Sequence, residues 1–382
     1  MKYKKIFSAL LLSAGLIVSG SALAAKIDKP EPLNSQEQAA KNGKQKPLII
    51  QEQGSFAAGG TVRTNAGKFD PDKAYETTDG QTVHGDHASV LYQIPQNAKQ
   101  YPMIFLHGYG QSGRSWSTTP DGRDGFQNIF LRKGYGVYLV DQPRRGQAGQ
   151  STEDATVPSA SQDQMWFDQF RIGKYPDFYD GVQFPRDEKS IDQFFRQMTP
   201  NIGAFDADVI TNAMTTVFEK TGPGILLTHS QSGGFGWTTA IKSDYVRAIV
   251  ALEPATYMFP KGEAPEAIPN RYNGLMGGKF EPVIVSDKDF EKLAKIPIII
   301  YFGDNIPKEA STSIPQDFWR ASREMAYEWA DVVNKHGGDV TVVDLPSEGF
   351  RGNTHFIMSD LNNAEVADHI STWLAKKKLD KK

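Results

Sequence analysis

No cysteine occurs in the 382 residues. That absence excludes disulfides, a thiol nucleophile and thiolate metal sites together. The chain also lacks a long basic stretch, and its net charge is only −3, so nucleic acid is not expected as a partner. Long apolar runs are missing apart from one near the start. There, Lys2, Lys4 and Lys5 precede an apolar run from Ile6 to Val18, and Ala22-Leu23-Ala24 supplies small residues at a cleavage position. The run is short and broken by Ser and Gly, which predicts a secretory signal over 1–24 rather than a membrane anchor. Cleavage after Ala24 removes three lysines, taking the net charge from −3 to −6. The expected location is periplasmic or secreted, with no stable membrane insertion afterwards. Without disulfides, the exported chain has to hold itself together by its core, which is reasonable at this length.

What is present is an alternation of strands and helices. Residues 25–47 are polar and aperiodic and read as a flexible lead-in. From 48 to 382 the pattern is that of one large α/β domain. It begins with an antiparallel start, LIIQEQGSFAAGGTVRT, ASVLYQIP and PMIFLHG. Strands YGVYLVD, GILLT, VRAIVAL, PIIIYFGD and VTVVDLP follow, separated by helical stretches. Apolar strands without alternation imply a mostly parallel sheet covered on both faces. Such sheets offer sites at the carboxyl ends of their strands. Two segments interrupt the alternation. One, about 147–204, is rich in aromatics and reads as a cap over an apolar pocket; the second insertion covers about 255–295.

The stretch GILLTHSQSGG places two serines in a glycine-rich turn between a strand and a helix. A hydroxyl becomes a nucleophile only when a base takes its proton and fixed donors receive the oxyanion. A tight strand-to-helix turn flanked by small residues meets that need. Small residues alone favour Ser232 slightly, but the apolar strand ends near Leu227, so Ser230 occupies its tip and is the expected nucleophile. FLHGYG, after the third strand, presents a backbone N–H to the same sheet edge. The N–H groups of Tyr109 and Gln231 are therefore the expected oxyanion donors.

Seven histidines are available as the base. His107 belongs to the oxyanion loop, and His229 shoulders the nucleophile and is expected to point away. His336 reads as a helix stop, His369 as a packing or surface residue. His84 and His87, with Asp86 in VHGDH, read as a solvated turn rather than a metal site. His355, in GFRGNTHF after the last strand, remains and can return to the sheet's carboxyl edge. Two acids end neighbouring strands, Asp304 in PIIIYFGD and Glu253 in VRAIVALEP. Strand position alone favours Asp304, while Glu253 stays open because its longer side chain extends its reach.

Taken together, HGYGQSGRSWSTTPDGRDG, LLTHSQSGG, VALEP, IYFGD and GNTHFIMSDLNNAEVADHISTWL resemble the α/β-hydrolase superfamily. More narrowly, they resemble a group of exported bacterial esterases similar to the Alcaligenes esterase. The resemblance spans roughly Tyr92 to Leu374, with the motifs in order. It implies the α/β-hydrolase fold, with a mostly parallel central sheet, helices on both faces and a cap insertion. It also implies Ser230 as nucleophile, His355 as base and Glu253, after the sixth strand, as acid. On the acid it therefore reverses the preference drawn from strand position. The expectation is a serine carboxylic ester hydrolase acting on a small-molecule ester, with no metal or organic cofactor. Amidase, acyltransferase, C–C hydrolase and perhydrolase chemistry share the triad. A binding protein on the same scaffold is the alternative of a different class. No S-x-x-K or H-E-x-x-H stretch occurs, which excludes the penicillin-binding and zincin patterns.

Overall fold

Strands buried on both faces need two helical layers, and the chain supplies them. The computed structural model describes residues 46–157, 159–272 and 278–382. The predicted signal over 1–24 and nearly all of the lead-in over 25–47 lie outside the described residues. Eight strands form the main sheet: β1 (Ile50–Thr64), β2 (Thr82–Pro95), β3 (Met103–Leu106), β4 (Val137–Asp141), β5 (Gly224–His229), β6 (Val246–Leu252), β7 (Pro297–Phe302) and β8 (Asp339–Asp344). Their order is β1-β2-β4-β3-β5-β6-β7-β8. β2 runs antiparallel to β1 and β4. From β4 through β8 every pairing is parallel.

The helices are α1 (Phe126–Arg132), α2 (Asp163–Gln169), α3 (Glu188–Arg196), α4 (Ala207–Thr221), α5 (Ser232–Lys242), α6 (Asp287–Leu293), α7 (Ile314–Lys335) and α8 (Asn363–Lys376). Period-two alternation sends Ile104, Leu226, Ile249 and Ile300 into a layer with α4, α5 and α7. It sends Phe105, Leu227, Val250 and Tyr301 into the opposite layer with α1 and α8. α4 shows how the sequence writes such a helix. Asp206 caps it by accepting from the N–H groups of Asp208 and Val209, and Ile210, Ala213, Met214, Val217 and Phe218 form its buried face. The helix stops at Gly222, whose φ of 74° favours a residue without a side chain. Each large apolar side chain buried this way contributes roughly 1.5–3 kcal/mol.

One expectation is corrected here. The VHGDH stretch is no solvated turn, because His84, Asp86 and His87 lie inside β2, paired with β1. Asp86 is buried, bonded to Arg144 Nε at 2.7 Å and to the Thr152 hydroxyl. An aspartate that looked solvated is instead an internal ion pair, joining β2 to the chain after β4.

The chain between β4 and α4 contains α2, a two-stranded ribbon (Gly173–Lys174 with Asp177–Phe178) and α3. Between β6 and β7 run two short strand pairs and α6. Among the described residues no helix is long and apolar enough to cross a membrane.

Candidate active site

β5 is buried along its whole length and ends at His229. Ser230 then takes φ 57°, in the left-handed region, a costly conformation for a residue with a side chain. Backbone bonds hold it there: Ser230 N donates to Leu252 O at 2.9 Å, and its carbonyl accepts from Gly233 N at 3.0 Å. α5 follows immediately and crosses close to the loop after β6. A Cβ on Gly233 would collide with Pro254, which explains the Gly-Gly pair at the helix start.

The two serines are no longer alike. Ser230 is partly exposed, whereas Ser232 is fully buried. The Ser232 hydroxyl lies 2.7 Å from Leu106 O and 2.9 Å from His229 O, and accepts from His229 N at 2.9 Å. It ties the end of β3 to the end of β5.

The loop after β3 comes very near the serine turn. A Cβ on Gly108 would stand 3.0 Å from both Ser230 Cβ and His229 Nδ1. Among the described residues, neither Tyr109 N–H nor Gln231 N–H donates to a backbone acceptor. His107 is buried: Gln142 N donates to its Nε2 at 3.1 Å, so its proton sits on Nδ1, 3.0 Å from Gly108 O. Burial, then the nearby Arg145 charge, hold it at about 3. It is a neutral structural residue.

His355 and Glu253 are brought together. His355 Nδ1 lies 2.5 Å from Glu253 Oε2, both side chains are fully buried, and Glu253 adopts φ 45°. The other carboxylate oxygen accepts from Gly303 N at 2.7 Å and from Arg171 Nη2. Burial alone would raise the Glu253 pKa, but the Arg171 charge, then His355, outweigh it and hold the group at about 2. Burial is also the largest influence on His355 and lowers it; Glu253 pulls it back up, and Arg171 pushes it down. His355 Nε2 has no hydrogen-bond partner among the described residues. The ring lies between Phe170, stacked at 5.5 Å, and Trp319 of α7 at 4.1 Å.

Asp304 sits elsewhere in the same network. Its oxygens accept from Asn305 N and Gly352 N, both at 2.8 Å. They hold the loop that carries His355 rather than its ring. Asp360 fixes that loop from the other side, accepting from Thr354 N and Thr354 Oγ1. His229 does not merely point away, because its Nε2 donates to His355 O at 2.9 Å and its ring lies 4.4 Å from that of His355. His336 ends α7 beside Glu263, and His369 bonds Tyr301.

Arg171 was not legible in the sequence. It follows α2 in the segment between β4 and α4, is fully buried with φ 57°, and reaches Glu253 and the Asp304 carbonyl. A lone arginine among aromatics has no spacing signature that would mark it.

No family model matches the chain. A fungal protein described as "Probable secreted lipase phiG" is 30% identical over 330 residues, covering 74% of this chain and 84% of that protein. A bacterial esterase solved at atomic resolution is 29% identical and superposes with a TM-score of 0.70, over 87% of this chain and 98% of its own. With the strand order, the strained serine turn and these relatives in agreement, the chain is a member of the α/β-hydrolase family of esterases and lipases.

Proposed function

We propose that the chain cleaves carboxylic esters through an acyl-enzyme on Ser230, with His355 as the base and Glu253 as its orienting acid. The observation that carries this reading is the buried Glu253–His355 pair, whose outer ring nitrogen has no partner among the described residues. Glu253 accepts from Nδ1, which fixes the tautomer and leaves Nε2 as the free base. His355 takes the hydroxyl proton as Ser230 Oγ attacks the ester carbonyl. The N–H groups of Tyr109 and Gln231 receive the oxyanion. The tetrahedral adduct collapses as His355 protonates the leaving alcohol, and water releases the acyl group by the same route.

The segment between β4 and α4 serves as the cap. Its Trp166 stacks on Phe170 at 4.9 Å and lies 5.8 Å from Tyr109, an apolar wall beside the serine turn. Export fits the predicted signal and the relative's description as secreted.

A fluorophosphonate probe should label the protein on the peptide holding residues 224–237. Ser230→Ala should lower p-nitrophenyl ester turnover by about 10³-fold or more, while Ser232→Ala keeps much of it. An unlabelled protein, or the opposite ranking of the two serines, would overturn the assignment.

A further inference from the structure

Behind the Gly108–Tyr109 peptide lies a buried guanidinium whose hydrogen-bond partners, among the described residues, include no carboxylate. Arg145 is fully buried, four residues beyond the end of β4. Its partners are neutral: Nη1 donates to Gly108 O at 3.2 Å, and Nε and Nη2 each lie 3.3 Å from Asn201 Oδ1. The guanidinium carbon also stands 5.5 Å from the Tyr109 ring. Arg144, by contrast, has Asp86 as its ion pair. The nearby Asp141 carboxylate favours the charged Arg145 through space, but its oxygens accept from Gly113 N at 2.5 Å and Gln147 N at 2.7 Å rather than from the guanidinium. Burial lowers the Arg145 pKa to about 10, so the group remains a cation at neutral pH. A buried charge without a hydrogen-bonded counter-ion costs folding energy, which calls for a return at the site.

Gly108 O is the meeting point. It accepts from Arg145 Nη1 and from His107 Nδ1, whose proton is fixed there because Nε2 is used as an acceptor. Two donors on one carbonyl set the plane of the 108–109 peptide. In a trans peptide the C=O and N–H point in opposite directions, so Tyr109 N–H faces away from Arg145. A charge on the carbonyl side also polarises the peptide and strengthens its N–H as a donor.

We propose that Arg145 is a positioning residue of the oxyanion hole. It locks the Gly108–Tyr109 peptide, and its charge acts on the developing oxyanion through that peptide. The inference rests on the roles proposed above for Tyr109 and Ser230.

Three variants separate the contributions: Arg145→Lys keeps charge and donor, Arg145→Gln keeps a donor without charge, and Arg145→Met keeps neither. Each is compared for p-nitrophenyl acetate kinetics and for affinity toward a trifluoromethyl ketone, which forms a hemiketal oxyanion on the serine. Arg145→Met should lower kcat by about 10- to 100-fold with KM within about two-fold, and should lose ketone affinity by a similar factor. Gln should fall between Met and Lys, and Lys should recover most of the activity. A folded Arg145→Met variant with kcat and ketone affinity within about two-fold of wild type overturns the proposal, as does a kcat loss without a loss of ketone affinity. If Arg145→Met does not fold, Arg145→Gln decides by the same comparison; if neither neutral variant folds, the role is structural and the proposal fails. Absence of fluorophosphonate label on Ser230 in the wild type would instead overturn the underlying reading.

Discussion

At Glu253 the two carboxylate oxygens have different tasks, one holding the His355 ring and the other anchored by Gly303 N and Arg171. Both oxygens of Asp304 are spent on backbone N–H groups of loops. Glu253→Gln should therefore cost about 10²–10⁴-fold in kcat, whereas Asp304→Asn should mainly loosen the His355 loop and lower the thermal midpoint. Equal kcat for Glu253→Gln and wild type would remove Glu253 from the triad. Arg171 also sets a pH signature. Its positive charge disfavours the imidazolium, adding to burial in lowering the His355 pKa below the ordinary 6.5. The proposed mechanism needs the neutral ring, so the acid limb of the kcat/KM profile should lie below that ordinary value. Removing the charge in Arg171→Met should raise the His355 pKa and move the limb to higher pH. A limb that stays put or moves down would contradict the coupling. Glu253, held at about 2 against an ordinary 4.5, contributes stability that is complete above 4.5 and lost as the pH falls toward 2.

The serine turn and the histidine loop were readable as residues because each sits in a short run whose backbone demands are local. Strand position favoured Asp304 for the acid because two carboxylates end adjacent parallel strands, whereas the family resemblance pointed to Glu253, the one that meets the ring. Arg171, Arg145 and Asp360 left no trace, since their partners lie far away in sequence and no fixed spacing connects them.

Among the elements, α5 shows how packing overrides propensity. Replacing glycine with alanine inside a helix ordinarily gains up to about 1 kcal/mol. At Gly233 the new methyl meets Pro254, the residue after Glu253. Gly233→Ala should therefore destabilise by about 1–3 kcal/mol and lower kcat as Glu253 shifts; a raised thermal midpoint would argue against this contact. The parallel strands were legible as short unbroken apolar runs, and the helices as the stretches between them. β2 was read too short, starting at Ala88 rather than Thr82, because VHGDH carries the polar composition of a turn. The ladder with β1 and the Asp86–Arg144 pair, both non-local, make it a strand.

Across the whole molecule, the segment between β4 and α4 is fastened to the centre at several points. Phe170 O accepts from His355 N at 2.9 Å, Gln169 O accepts from Trp319 Nε1 at 3.1 Å, and Arg171 pairs with Glu253. On the proposed reading, this segment supports the triad as well as covering it. Shortening it around Phe170 should depress turnover of p-nitrophenyl acetate and of longer esters alike. A variant that loses long esters yet gains on acetate would mark it as a cover alone.

The Ser232 hydroxyl, wedged between the ends of β3 and β5, also has a kinetic consequence. It accepts from the His229 amide at the centre of the parallel sheet, so that amide proton should exchange with solvent only through global opening. The loop after β3 and the Ser230 turn then share one cooperative unit. Heat inactivation should coincide with unfolding of the sheet, with no earlier stage in which the site fails while the fold survives.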